Sequence, residues 1–245
     1  YGGNMAILGA TGPMGFLAID FAIHGPKKPK KLVVTGRTQE KLDLTAKLYP
    51  PEEALIEGVE LHYVNTSNLD SFSQDLKSLI NDDNGFDDVF VFVPNEQVAE
   101  EGEKMLAYDG CLNFFAGPSN HDFSPKINLY NVHYKATHIV GTSGGNTDDM
   151  IEAVSLIENK IVNVAKIASH ILGLTDVASA TIKLPNLPAG KKIVYTHKKF
   201  PLTKLTDFSN TNDTFQIKLA EIIKQHNGFW SLEAEQYFLK YAPEV

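Results

Sequence analysis

The sequence predicts an α/β protein: a doubly wound parallel sheet of about six strands, followed by a C-terminal α+β extension. Three observations carry this reading. Apolar runs of strand length recur at residues 5–8, 32–35, 59–64, 86–93, 111–117 and 138–141. Segments with helical spacing of apolar residues separate them, and strand–helix alternation of this kind requires crossovers between parallel strands. The first strand also runs into Gly9, Gly12 and Gly15 at three-residue spacing, then into the apolar helix 16–23.

That first unit organises the chain. Residues 5–8 are continuously apolar, as a strand buried on both faces must be. Strand, glycine turn and helix together offer backbone N–H groups and a helix dipole to a diphosphate, the dinucleotide-binding arrangement of a Rossmann fold. Gly12 lets the backbone approach the phosphates, Gly15 lets helix and strand pack closely, and Pro13 suits the first helical position, where its missing N–H costs nothing. The pattern is G-x-x-G-x-x-G, with the first glycine one place earlier than in the common fingerprint, so a slightly wider turn is expected.

The basic run 27–31 precedes strand two, so it falls at the opposite end of the sheet and reads as a solvated turn. Strand two, 32–35, ends in Gly36-Arg37-Thr38, with no carboxylate until Glu40. NAD binders place an acidic residue here for the ribose 2′-hydroxyl. A glycine and an arginine suit a 2′-phosphate instead, so NADP is expected in preference to NAD. Thr38 either donates a hydroxyl to that phosphate or caps the helix 39–48, which Tyr49-Pro50-Pro51 stops.

Strand three, 59–64, alternates in polarity and places His62 toward solvent. Leu69, Phe72, Leu76, Leu79 and Ile80 line one face of the next helix. The run 86–94 reads as the central strand beside strand one, with Val93, Pro94 and Asn95 over the nicotinamide ribose and Asp87-Asp88 at the entrance, away from the chemistry. A helix is expected over 95–108 and a fifth strand over 111–117. A sixth strand follows at 138–141, then a helix 146–159 with Asp148 and Asp149 in its favourable first turn. Beyond it come a strand and connection (161–174), a short helix (175–182), a last strand (192–195) and two amphipathic helices near 213–225 and 232–241, the second capped by Ser231. Domains are expected at 1–145 (dinucleotide-binding), 146–196 (a return segment) and 197–245 (a helical tail without recognisable chemistry).

The chain has 245 residues, 43% apolar and 21% charged, the balance of an ordinary globular protein. A net charge of −8 argues against nucleic acid, and no apolar run is long enough for a membrane span. Cys111 is the only cysteine, which rules out an intramolecular disulfide and a cysteine-rich zinc site and suits the cytosol. Its place at a strand start reads as a small buried hydrophobe rather than a nucleophile. His121, His133 and His138 share no ligand spacing with a carboxylate pair, so no metal is expected. The opening Tyr1-Gly2-Gly3-Asn4 lacks an initiator methionine and leads directly into the first strand, as if a further segment had stood before it.

Gly12-Pro13-Met14-Gly15, the strands ending at Gly117 and at Gly141-Thr142-Ser143, and the run from Asp148-Asp149-Met150 to Gly190-Lys191-Lys192-Ile193-Val194 resemble the medium-chain dehydrogenase/reductase family of zinc-type alcohol and polyol dehydrogenases. The run from Ala6 to Asp20 is most similar to the L-sorbose 1-phosphate reductase group within it. The resemblance implies cofactor contacts at Gly9, Thr11, Gly12, Pro13, Met14, Gly15, Gly36, Arg37, Thr38, Val93, Pro94, Gly117, Gly141 and Thr142. It implies zinc only on an N-terminal domain absent from this chain, and a sugar-phosphate or polyol substrate in the full enzyme. It also implies a homodimer through residues 134–143, and no catalytic residue in this chain, which alone would be inactive. His170 resembles a position in that family's Thr-His-Ile stretch, where a structural hydrogen bond is expected. Gly9-Ala10-Thr11-Gly12 with Arg37 also resembles the atypical short-chain reductases, including NADP-binding sensors without catalysis. An active member would need a Tyr-x-x-x-Lys pair, and the one instance, Tyr195 to Lys199, ends a late strand.

Overall fold

The computed structural model describes residues 2–81, 84–187 and 190–245, so Tyr1 of the glycine-rich opening lies outside the described residues. Two compact units divide the chain, Tyr1–Val162 and Asn163–Val245. The division falls neither at residue 145 nor at 196, near which the composition changes. The helix after strand six groups with the first unit, and the last long strand shares a core with the tail.

In the first unit six parallel strands lie in the order β3-β2-β1-β4-β5-β6. They are β1 (Asn4–Leu8), β2 (Lys31–Gly36), β3 (Glu60–Asn65), β4 (Phe86–Val91), β5 (Leu106–Phe114) and β6 (His138–Gly141). The chain winds outward from β1 to β3, then returns to lay β4 against the other side of β1, with Ala6 opposite Val33 and Val89. Ala6, Ile7 and Leu8 are all buried, as expected of a strand covered on both faces. Helices α1 (Pro13–His24), α2 (Gln39–Leu48), α3 (Pro51–Ile56), α4 (Phe72–Ile80), α5 (Glu96–Lys104), α6 (Leu129–Tyr134) and α7 (Thr147–Glu158) connect the strands or follow them. One core cluster joins Leu76 and Ile80 of α4 to Ala6, Leu8, Val33, Val89 and Val91 of the sheet.

Two local expectations change. The helix read over 95–108 stops at Lys104, and β5 starts at Leu106, five residues before Cys111. Met105, Leu106 and Ala107 are all buried. Three successive buried residues span more than half a turn of helix, so they suit a chain entering the sheet between β4 and β6 better. Asp109 at φ 60° and a register shift between Phe86 and Asp88 absorb the irregularity. Helix α2 stops at Leu48, before Tyr49-Pro50-Pro51 as expected, and Pro51 also opens α3, in the first-turn position where proline is tolerated. His62 is only half-exposed, with Nε2 2.8 Å from Glu60 Oε1.

The basic run lies at the entry end of the sheet, and two of its four lysines are engaged there. Lys28 Nζ is 2.6 Å from Glu57 Oε2, and Lys31 Nζ donates to the Ile80 carbonyl at 2.7 Å. Asp87 sits at the same end, accepting from the Asn4 N–H at 2.7 Å. Helix α7 begins with a capping box: Asn146 Oδ1 accepts from the Asp149 N–H at 3.1 Å, and Asp149 Oδ2 accepts from the Asn146 N–H at 2.7 Å.

The second unit is a three-stranded mixed sheet in the order β8-β7-β9, from β7 (Ala168–Gly173), β8 (Lys191–Tyr195) and β9 (Thr203–Lys204), with helices α8 (Val177–Lys183), α9 (Thr214–Gln225) and α10 (Leu232–Tyr241). Strand β8 is therefore not the last, since β9 pairs antiparallel with β7. Aromatic residues dominate the core: Tyr195, Phe200, Phe208, Trp230 and Phe238 belong to one buried cluster. Trp230 Nε1 donates to the Tyr195 hydroxyl at 3.0 Å, and that hydroxyl donates to Glu235 Oε1 at 2.7 Å, linking β8 to the segment before α10 and to α10 itself.

Tyr195→Phe keeps the ring and strands the indole N–H and the carboxylate. It should cost the second unit about 1–3 kcal/mol. Denaturation followed by the fluorescence of Trp230, the sole tryptophan, measures this unit; an unchanged midpoint would show that water replaces the hydroxyl without cost.

Candidate functional site

The glycine turn begins where β1 ends. Gly9 adopts φ 74°, a left-handed conformation that a side chain disfavours, and a Cβ there would run into Val93. The Gly9 N–H donates to Thr35 Oγ1 at 3.1 Å and the Ala10 N–H to the Thr35 carbonyl at 3.0 Å, so the turn is tied onto β2. Gly12 is the N-cap of α1, and a Cβ on it would meet no atom within 4 Å. A Cβ on Gly15 would collide with the Ala10 carbonyl. The three glycines thus do different work: Gly9 bends the chain, Gly15 admits helix against strand, and Gly12 leaves space open. Pro13 sits in the first helical turn, with Met14 and Gly15 after it. The Met14 and Gly15 N–H groups of this first turn have no partner within the helix.

A cleft of about 410 Å³ opens beside this turn at the carboxyl ends of β1, β2 and β4. Of the expected residues it gathers Gly9, Thr11, Gly36, Arg37, Thr38, Val93 and Pro94. Gly12, Pro13, Met14 and Gly15 form the adjoining helix start and do not line it. Gly117, Gly141 and Thr142 line a separate hollow of about 480 Å³ with Phe114 and Phe115, beyond β5 and β6 on the same edge of the sheet. Every expected position therefore lies at the edge where the strands end, distributed over a turn, a cleft and a hollow.

Gly36 is needed for a packing reason as well: a Cβ would stand 2.6 Å from Thr11 Cγ2. Arg37 is exposed, and Ser67 Oγ donates to its carbonyl at 3.1 Å. Thr38 occupies the N-cap position of α2, but its hydroxyl makes no capping hydrogen bond, so of its two expected roles the cap is not the one seen. Lys41, on the first turn of α2, also lines the cleft and was not singled out from the sequence; its place four residues after Arg37 is the signal that marks it. Thr66 and Phe72 were missed because they enter from the turn after β3 and from α4, which only folding brings close. The lining holds two cations, Arg37 and Lys41, and no carboxylate. Asn95 also lines it, with Oδ1 engaged in capping α5 through the Val98 N–H at 3.0 Å.

The remaining polar candidates have structural surroundings. His170 is buried in β7, with Nδ1 2.9 Å from Ser169 Oγ; burial, then Lys192 and Lys204, holds its imidazole below the usual range against a weaker opposite pull from Asp207. Cys111 lies in mid-β5, half-buried, and burial followed by Asp88 pushes its thiol up, away from the reactive thiolate. The Tyr195 phenol is raised by burial and then by Glu235, and Lys199 is exposed, so the Tyr-x-x-x-Lys spacing does not form a proton-transfer pair. Among the described residues no three His, Cys, Asp or Glu side chains converge to hold a metal ion, so these residues do not fit a zinc site.

With this geometry in hand, comparison with known proteins is informative. Residues 13–159 match the family described as zinc-binding dehydrogenase. The chain is 48% identical over 99% of its length to L-sorbose 1-phosphate reductase of Klebsiella pneumoniae, and spans 56% of that protein. It is 42% identical over 98% of its length to mannitol-1-phosphate 5-dehydrogenase of Aliivibrio fischeri, spanning 57% of it. Among solved structures, 2R,3R-butanediol dehydrogenase of Bacillus subtilis shares the fold at a TM-score of 0.60 and 16% identity, over 80% of this chain and 51% of that one. The chain thus spans little more than half the length of the relatives it matches.

The glycine geometry gives a direct test. Gly15→Ala should destabilise the first unit by about 1–3 kcal/mol, because the backbone must part to admit the methyl group. Gly12→Ala should stay within about 0.5 kcal/mol. Denaturation followed by far-ultraviolet circular dichroism separates the two; equal losses would mean that Gly12 is held by packing and does not face open space.

Proposed function

The chain belongs to the zinc-binding dehydrogenase family, and from that membership we propose that it is the cofactor-binding portion of an NAD(P)-dependent oxidoreductase (EC 1.1.1 type) acting on a sugar phosphate or polyol. The observation that supports it most is the glycine turn over α1 opening into a cleft that holds Arg37 and Lys41 and no carboxylate. In this reading the pyrophosphate lies over Gly12 and the first turn of α1, contacted by Gly9, Thr11, Pro13, Met14 and Gly15. The adenosine ribose lies in the cleft by Gly36, Arg37 and Thr38. Val93 and Pro94 back the chain of the cofactor toward the hollow at Gly117, Gly141 and Thr142, which takes the nicotinamide half. Without an acidic partner for the ribose 2′-hydroxyl, and with two cations in its place, the cleft favours NADP over NAD.

The nicotinamide would exchange hydride with a carbon of the substrate, and this chain's residues bind and orient it. Catalytic zinc and most of the substrate pocket would come from the portion of the relatives that this chain does not span. In this reading residues 1–145 carry the binding function, 146–196 return toward the remainder of the enzyme, and 197–245 form a helical tail. No helix among the described residues is long and apolar enough to cross a membrane. The reading places the protein in the cytosol.

Cofactor choice is tested by titrating the chain with NADPH and NADH, before and after Arg37→Asp. Loss of one charge-assisted contact should cost about 1.5–3 kcal/mol, roughly ten- to a hundredfold in affinity for NADPH alone. Equal binding of both cofactors would remove the NADP preference; binding of neither would reject the cofactor site.

We also propose a homodimer through residues 134–143. Strand β6 is an edge strand whose four residues are all exposed, including Ile139 and Val140, and an unpaired edge is a template for a second copy. Light scattering should give twice the 27.0 kDa chain mass, and Val140→Pro should return it to one. A monomer at every concentration tested rejects the edge pairing.

A further inference from the structure

Helix α5 carries glutamates at 96, 100 and 103, spacings that share one helical face. Each accepts a hydrogen bond from the chain between β5 and β6. The Ser124 N–H donates to Glu96 Oε1 at 2.9 Å, the Lys126 N–H to Glu100 Oε1 at 2.9 Å, and Asn131 Nδ2 to Glu103 Oε1 at 2.8 Å.

The two spacings match for a geometric reason. Two residues of extended chain advance about 6.6 Å, and four residues of helix about 6 Å. Alternate amides of an extended segment therefore meet carboxylates one helical turn apart. The segment's side chains alternate in the same way: Phe123, Pro125 and Ile127 are half-buried, while Asp122, Ser124 and Lys126 are exposed. Phe123 packs on Phe114, with ring centroids 5.2 Å apart, and Phe114 lines the hollow together with Gly117 and Pro118. The neighbouring Glu101 points elsewhere, accepting from the Ser73 N–H at 3.2 Å and pairing with Lys104 at 2.7 Å.

We propose that Glu96, Glu100 and Glu103 are positioning residues, a carboxylate clamp that holds segment 122–128 on α5 so that Phe123 props Phe114 and the Gly117–Pro118 rim for the nicotinamide half of the cofactor. The clamp's cofactor role rests on the reading of that hollow as the nicotinamide side. The glutamates touch neither cofactor nor substrate; they act through the loop.

The test uses the 245-residue chain, the double variant Glu96→Ala/Glu100→Ala, its conservative counterpart Glu96→Gln/Glu100→Gln, and Glu101→Ala as a control. Hydrogen exchange at Ser124 and Lys126 should quicken about tenfold in the alanine variant, stay near the original rate in the glutamine variant, which keeps acceptor oxygens, and be unmoved by the control. The Kd for NADPH should rise by about three- to tenfold, while that for 2′,5′-ADP, the adenosine half alone, stays fixed. Unchanged exchange in the alanine variant overturns the clamp. Faster exchange with unchanged NADPH binding, or an equal loss for both ligands, overturns its positioning role. Should the parent chain bind neither ligand, the cofactor reading fails and the positioning role with it, while the exchange rates still decide whether these glutamates hold the segment.

Discussion

Two hydrogen bonds onto Thr35 hold the glycine turn where the cofactor reading needs it. The Gly9 and Ala10 amides donate to the Thr35 hydroxyl and carbonyl, so the end of β1 and the end of β2 are fixed to each other. In this G-x-x-G-x-x-G turn the residue after Gly9, Ala10, is thereby anchored sideways onto the next strand. Once the turn is fixed, Gly15 can bring α1 against the Ala10 carbonyl, and Gly36 can pass under Thr11. Replacing either hydrogen bond would loosen both walls of the cleft together.

Charge is organised locally in a chain that is acidic overall. The conspicuous basic run at 27–31 sits at the far end of the sheet and meets Glu57 and Glu60. The two cations that matter to the cleft, Arg37 and Lys41, stand apart from any such cluster. A net charge of −8 repels a polyanion, whereas both cations line one cleft at the end of β2. Helix α5 shows the same economy: Glu96, Glu100 and Glu101 accept from backbone amides of a loop (Ser124, Lys126) and of the first turn of α4 (Ser73).

The second unit obeys a different logic. Its strands are short, and its stability comes from an aromatic core in which Tyr195, Trp230 and Phe238 belong to β8, a connecting segment and α10. That is why the change of composition near residue 197 does not mark a boundary between compact units. The spacing that resembles a short-chain reductase pair is absorbed by the same core, since the Tyr195 hydroxyl is engaged by Trp230 and Glu235.

Local patterns in the sequence determined most of the first unit. Continuous apolar runs and glycine and proline punctuation act over a few positions, so the six strands and the turn at Gly9–Gly15 were legible without coordinates, as was the cap at Ser231 in the second unit. So were Arg37 and the missing carboxylate, because their meaning depends only on lying just past β2. Tertiary structure decided whatever depends on distant segments meeting. Lys41, Thr66 and Phe72 join the cleft from α2, the turn after β3 and α4, Leu106 and Ala107 enter β5 because the sheet between β4 and β6 buries both, and Ser124 and Lys126 meet α5 because an extended chain and a helix advance at commensurate rates. Those contacts arise from packing between segments some twenty or more residues apart in several cases, which a local pattern cannot encode.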